Sequence, residues 1–285
     1  MLGKLIKYEF KATGKIMLLF YAGLIFMALL NMLIMPWGPT GNFDLFEGAL
    51  DRTSSTGETL DFMKTLLQGA IFVMYIVLAI AVGLVTLVAI VLRFYKMLGD
   101  EGYLMFTLPV NTSSQIISKL IAATVWLICS TIVIILSILI VIGRVDYFDE
   151  IADGIRELVG MGLHPGTWFV LITIAIILSM IVGSLEFYLA LALGMHITKS
   201  RVGGSIIGYI IVYTATQLIS TVAMLPMMLS IDVFGTGPLD NLSPVEMEWQ
   251  IVSTVSIFTF LLLLVTGIVS YFLTHHLLKN KLNLG

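Results

Sequence analysis

Six long apolar stretches decide what this chain can become. They occupy residues 16–35, 66–92, 116–142, 167–194, 205–229 and 251–273, and each reaches the ~20 helical residues that cross a hydrocarbon core. Inside lipid every backbone N–H and C=O must find its partner within the protein, which leaves only helices and closed barrels. A barrel would be written as alternating segments of ~10 residues, and no such alternation occurs. Composition agrees: 59% of the residues are hydrophobic and 12% are charged, against about a quarter charged in soluble domains. The sequence therefore predicts an all-α, polytopic membrane protein, six transmembrane helices in a single domain over residues 1–285, without internal repeat or soluble module.

Lysine and arginine resist transfer to the outer face, so their placement orients the helices. Lys4, Lys7, Lys11, Lys15, Arg93, Lys96, Lys119, Lys199, Arg201, Lys279 and Lys281 fall on one side, and Arg52, Lys64, Arg144 and Arg156 on the other, which accounts for all 15. Both termini are expected in the cytoplasm. Acidic residues run the opposite way, with Glu9, Asp100 and Glu101 inside, Glu186 within a span and the rest outside. The net charge of −3 thus separates into a basic inner rim suited to anionic lipid and an acidic outer one. Nucleic acid is not an expected partner. The first apolar run follows a basic segment as in a signal peptide, but it is too long and no small-residue cleavage pattern follows, so it is expected to stay. Cys129 is the single cysteine, which excludes an intrachain disulfide.

Residues 1–15 place Lys4, Lys7, Lys11 and Lys15 on one narrow arc at 100° per residue, with Leu2, Leu5, Ile6 and Phe10 broadly opposite. The pattern predicts a helix lying in the membrane interface, and an ordinary lysine-rich anchor for the first span is the plainer alternative. Glu9 falls amid the apolar arc and is expected to meet protein rather than lipid. Outside, residues 36–64 read as a solvated acidic loop, while Phe148, Ile151, Ile155, Leu158 and Val159 recur at helical intervals and predict a short amphipathic surface helix. Ser243, Pro244 and Glu246 form a capping box with proline at the first helical position, so the last helix should begin there.

The most unusual stretch is the cytoplasmic loop over residues 93–115, continuing to Lys119. Gly99 ends the preceding helical pattern, and Asp100 and Glu101 suit the positive end of a new helix. Tyr103, Leu104, Phe106 and Leu108 supply apolar surface before Pro109 stops it. Thr112 and Gln115 then make a second capping box, from which the third span starts. A short helix with aromatic side chains on the inner side fits two roles. It can anchor a soluble partner, or its aromatics can dip into the headgroup layer.

"LIKYEFKATGK" (5–15), "GDEGYLMFTLPVNTSSQIISKL" (99–120) and "LALGMHITKSR" (191–201) resemble the permease subunits of type 2 ATP-binding-cassette exporters, the six-helix kind common in Gram-positive bacteria. The likeness covers the whole six-span layout. Its most specific piece is the acidic pair, the Leu-Pro-Val turn, and Ser and Lys opening the third helix. It implies an elbow helix at 1–15, and a coupling helix between the second and third spans that seats in a cleft of a separate ATPase subunit. On that resemblance Asp100, Glu101, Tyr103, Leu104, Phe106 and Pro109 face the ATPase, with Lys7 and Glu9 nearby. It further implies a bacterial plasma membrane, a second permease copy or a sister permease, and no cofactor; it says nothing of the cargo. The chain has no G-x-x-x-x-G-K-[ST] loop to cradle phosphates, so ATP hydrolysis would belong to the partner and the chain itself would not be an enzyme.

Two features inside the spans bear on a path. Glu186 is the only ionisable group well within an apolar run, and such a carboxylate is costly enough to need a reason. It could face cations in a path, or join helices by hydrogen bonding to a neighbouring Ser, Thr or Tyr. Tyr213, Thr214, Gln217, Ser220 and Thr221 form a polar stripe on the fifth span, lining a path or a helix contact. Gly204 and Gly208 match a small-xxx-small packing pattern. His275 and His276 have no glutamate at metalloprotease spacing, and "GGSIIG" misses the hydrolase elbow by one residue. No metal site is expected. Two other classes stay compatible with the sequence: a secondary transporter driven by an ion gradient, which needs midplane charges and paired broken helices, and a non-transporting scaffold or immunity protein.

Overall fold

The computed structural model describes residues 2–34, 55–98, 111–142, 152–154, 156, 159, 165–197, 201–233 and 244–280. Its long elements are helices: α1 (Leu2–Ile34), α2 (Ser55–Leu98), α3 (Thr112–Ile142), α4 (Pro165–Ile197), α5 (Arg201–Val233) and α6 (Pro244–Asn280). Among the described residues there is no strand. All six helices are long and apolar enough to cross a membrane, which marks a multi-pass membrane protein. Bulky side chains such as Leu19, Phe26, Phe169 and Phe272 stand exposed along them, as a surface solvated by lipid requires.

The amino-terminal helix differs from the sequence expectation. Residues 1–15 and the first span do not form separate elements, because one uninterrupted helix of 33 residues carries both, about 50 Å long at the helical rise. The glycine at the expected junction is Gly14, and its Cα faces the Trp126 indole, which a Cβ there would meet at 3.8 Å. Packing holds that turn helical. The facial arrangement is as read: Lys4, Lys7, Lys11 and Lys15 are exposed, Leu2, Leu5, Ile6 and Phe10 are half-buried, and Glu9 is buried.

Helix starts follow local chemistry with one departure: α2 begins at Ser55, so residues 55–64, read from the sequence as part of a solvated loop, extend the second helix. The last helix begins at Pro244, the residue placed first by its capping box. The third begins at Thr112, but its cap lies one residue earlier than the sequence pattern indicated. The Asn111 carbonyl accepts the N–H groups of Ser114 at 2.9 Å and Gln115 at 3.4 Å, which makes Asn111, itself a favoured cap residue, the N-cap. Of the outer amphipathic segment, residues 152–154, 156 and 159 are helical, and Asp153 pairs with Arg156 at 2.8 Å.

Contacts divide the chain into two compact units. Unit I comprises Lys7–Ala89 and Val125–Leu171. Its core sets Met17, Tyr21, Leu24 and Ala28 of α1 against Tyr75 and Val82 of α2 and Val141 of α3. The α1 residues recur at i, i+4, i+7 and i+11, one face of a helix. A buried hydroxyl chain runs through this core. Thr86 Oγ1 donates to the Val82 carbonyl at 2.7 Å, which spends its single proton. Ser130 must therefore donate to Thr86 across 2.7 Å, and Tyr21 to Ser130 across 2.7 Å, since each hydroxyl has one proton to give. The chain ties α1, α3 and α2 together where no water can substitute. By the same accounting Ser137 donates to the Ile134 carbonyl and accepts from Tyr75 at 3.0 Å.

Unit II comprises Met1–Ile6, Ile90–Thr124 and Ile172–Gly285. Phe94, Met97 and Leu98 at the end of α2 and Ile116 near the start of α3 are at most 1% exposed. Phe94 stacks on Tyr188 of α4 with ring centres 4.0 Å apart and planes within 7°. Leu189 and Ala190 of α4 pack with Val212 of α5, and Leu277 of α6 closes over them.

Candidate functional site

The site begins with two glycine contacts. A Cβ on Gly208 of α5 would collide with the Ala190 carbonyl and lie 2.9 Å from the Gly194 backbone nitrogen of α4. A Cβ on Gly194 would collide with the Gly204 carbonyl in turn. No side chain separates these backbones, so the small residues let α4 and α5 touch directly, as the Gly204/Gly208 spacing indicated. Further along the pair, larger residues take over. Phe187 of α4 stacks on Tyr209 of α5 at 5.3 Å with planes 7° apart, and Tyr209 stacks on Tyr213 at 6.0 Å and 21°.

Glu186 sits beside Phe187 on α4 and is half-buried. It lies eleven residues from the helix end at Ile197, about 16 Å at the helical rise, well within the apolar span. Its carboxylate accepts a hydrogen bond from Thr216 of α5. Among the described residues this is its one hydrogen-bond partner, and no basic side chain offsets its charge. Tyr209, Tyr213, Thr216 and Ser220 follow at i, i+4, i+7 and i+11 on α5, so they form one face. Gly183, one turn before Glu186 and Phe187, has nothing within 4 Å of the position a Cβ would take. The result is a carboxylate flanked by a run of stacked rings, with open space at Gly183.

The other predicted residues distribute as follows. Tyr213 is 57% exposed; Thr214, Gln217 and Thr221 are exposed and Ser220 is intermediate. Thr221 donates to the Gln217 carbonyl of its own helix at 2.8 Å, which satisfies its hydroxyl without any further partner. Lys7 is exposed and Glu9 buried, both in unit I. Asp100, Glu101, Tyr103, Leu104, Phe106 and Pro109 lie outside the described residues. Their flanks do not: Leu98 is 1%, Gln115 4%, Ile116 0%, Ser118 2% and Lys119 4% exposed. Among the described residues no group of His, Cys, Asp and Glu is placed to hold a metal ion. Phe187, Tyr209, Thr216 and Gly183 are the members that sequence reasoning missed. The period joining Tyr209, Tyr213 and Thr216 was legible, but which turn of α4 lies against them was not.

Compared with known proteins, no family model matches the chain, and neither a curated protein nor a solved structure matches it.

Proposed function

We propose that this chain is the membrane-spanning permease subunit of an ATP-binding-cassette exporter. It encloses a substrate path with a second copy or a sister permease, and it draws energy from a separate ATPase subunit seated on the cytoplasmic segment around residues 99–110. The observation that carries the reading is the anchoring of that segment. On both of its flanks most side chains are buried, Phe94, Met97 and Leu98 before it and Gln115, Ile116, Ser118 and Lys119 after it, all within unit II. Lys119 and Gln115 are polar, and sinking them costs free energy unless they are held by partners. A segment that merely floated on headgroups would have no need of such footings. One fastened at both ends to a packed body passes a push on to that body, because close-packed interiors shift as units rather than deform. Unit II also contains Glu186 and the aromatic face of α5, so the flanks of that segment and the candidate site share one compact body. The cytoplasmic placement of both termini belongs to the same proposal.

The test is a double substitution, Tyr103→Ala with Phe106→Ala, in the chain co-expressed with a P-loop ATPase encoded by a neighbouring gene. The variant is expected to insert and purify normally while losing the ATPase on affinity capture, and with it any stimulation of ATP hydrolysis in proteoliposomes. Normal capture and normal stimulation would remove the segment from its assigned role. Solute flux that stops on collapse of a proton or sodium gradient, and ignores ATP, would instead favour a secondary transporter.

A further inference from the structure

We propose that Glu186, Phe187, Tyr209 and Tyr213 form a binding site for a lipophilic organic cation, of the class in which an ammonium or phosphonium centre carries bulky apolar groups. As the cargo site of the exporter this rests on the function proposed above; as a binding site it stands on its own geometry.

Charge comes first. Glu186 lies at membrane depth with one hydroxyl donor, Thr216, and no cationic side chain beside it among the described residues. A carboxylate offers about four acceptor positions, so most of its capacity is unspent. Groups of this kind inside a membrane are kept where they meet a counter-charge or a moving ligand. The rings add a second attraction of the same sign. Phe187, Tyr209 and Tyr213 form a continuous stack, and the faces of aromatic rings draw cations, most strongly where water is scarce. Their exposure is the third point: Tyr209 is 42% and Tyr213 57% exposed, so the stack ends on an accessible surface.

The same surroundings exclude other ligand classes. A bare metal ion is best held by several charged or imidazole donors, and among the described residues no group of His, Cys, Asp and Glu gathers here. An anion would meet the carboxylate. A strongly hydrated polar solute would have to shed its water against Ile206 and Ile210, which flank the tyrosines at 57% and 56% exposure. A cation with apolar substituents satisfies every part at once, its centre toward Glu186 and the rings, its substituents on the apolar flank and in the open space at Gly183.

The experiment uses the full chain in lipid nanodiscs without any ATPase, with tetraphenylphosphonium as probe and tetraphenylborate as its oppositely charged counterpart of the same shape. Binding to empty discs is subtracted. Protein-dependent binding of the phosphonium and none of the borate is expected. Glu186→Gln keeps an acceptor for Thr216 and should weaken the phosphonium about tenfold or more, as loss of a partner charge at intermediate dielectric does. Tyr213→Ala, on an exposed position, should weaken it about two- to fivefold. Equal affinity in E186Q and the unsubstituted protein, or equal protein-dependent binding of the borate, overturns the proposal. Should E186Q fail to elute as folded protein, Y213A decides alone, and unchanged affinity there overturns it as well. Cation binding by a chain that captures no ATPase would sink the exporter reading and leave this site standing. Absence of binding in a chain that couples normally to an ATPase would do the reverse.

Discussion

Replacing Gly208 by alanine adds one methyl group at the point where α4 and α5 touch. The new Cβ would run into the Ala190 carbonyl and sit 2.9 Å from the Gly194 nitrogen, both backbone atoms that cannot swing aside. The helices must part by roughly 1 Å before this contact reaches the ordinary range, and such a gap forfeits about a quarter to a half of each dispersion contact along the seam. Overpacking of this kind costs about 1–3 kcal/mol. Alanine is also the better helix former by about 1 kcal/mol, so a single measurement would mix two effects of opposite sign. Gly183→Ala separates them. It gains the same propensity, but its Cβ meets nothing within 4 Å. The difference between the two variants, read from reversible unfolding in mixed micelles by helical circular dichroism, is therefore expected to be about 1–3 kcal/mol, with Gly208→Ala the less stable. Equal stabilities, or a more damaging Gly183→Ala, would refute the direct backbone contact and with it the register that brings Phe187 onto Tyr209.

Two further outcomes follow from the buried cores. Ser130→Ala removes the middle link between Tyr21 and Thr86 and should lower stability by about 0.6–1.7 kcal/mol, the range of hydrogen bonds between membrane helices; Thr131→Val, whose hydroxyl bonds only its own helix, serves as the comparison in the same unfolding assay. Phe94→Ala empties a position that is 0% exposed and stacked on Tyr188, and a loss of about 3–5 kcal/mol is expected from such truncation, read as a lower midpoint in thermal unfolding of the detergent-solubilised protein.

How much of this was legible beforehand varies by feature. The six spans were, because crossing hydrocarbon demands length and apolarity that leave a continuous mark in the chain. So was the start of α6, since Pro244 and its capping box act within a single turn. The interfacial helix expected over residues 1–15 was not found as an element of its own, because the charge pattern alone does not show that α1 runs on through Gly14, whose turn packs against Trp126 far along the chain. The cap at Asn111 was missed by one residue because Asn111 and Thr112 are both good caps and the backbone geometry chooses between them. Of the candidate site, Glu186 and the α5 stripe announced themselves as polar groups in apolar runs. Thr216 was not part of the stripe read from the sequence, and only Glu186 set against it singles it out.

Sequence by itself determined that this is an all-helical membrane chain, where its six apolar spans lie, and which side chains are anomalous in lipid. Those properties follow from hydration, backbone hydrogen bonding and capping, which are local. Tertiary structure alone decided which anomalies meet. Gly208 and Gly194 bring two backbones into contact, that contact fixes the register of α4 against α5, and the register lays Phe187 on Tyr209 and Glu186 against Thr216. A carboxylate and a row of aromatic rings thereby share one surface, an adjacency that no spacing along either helix encodes, because it is set by how closely two helices approach.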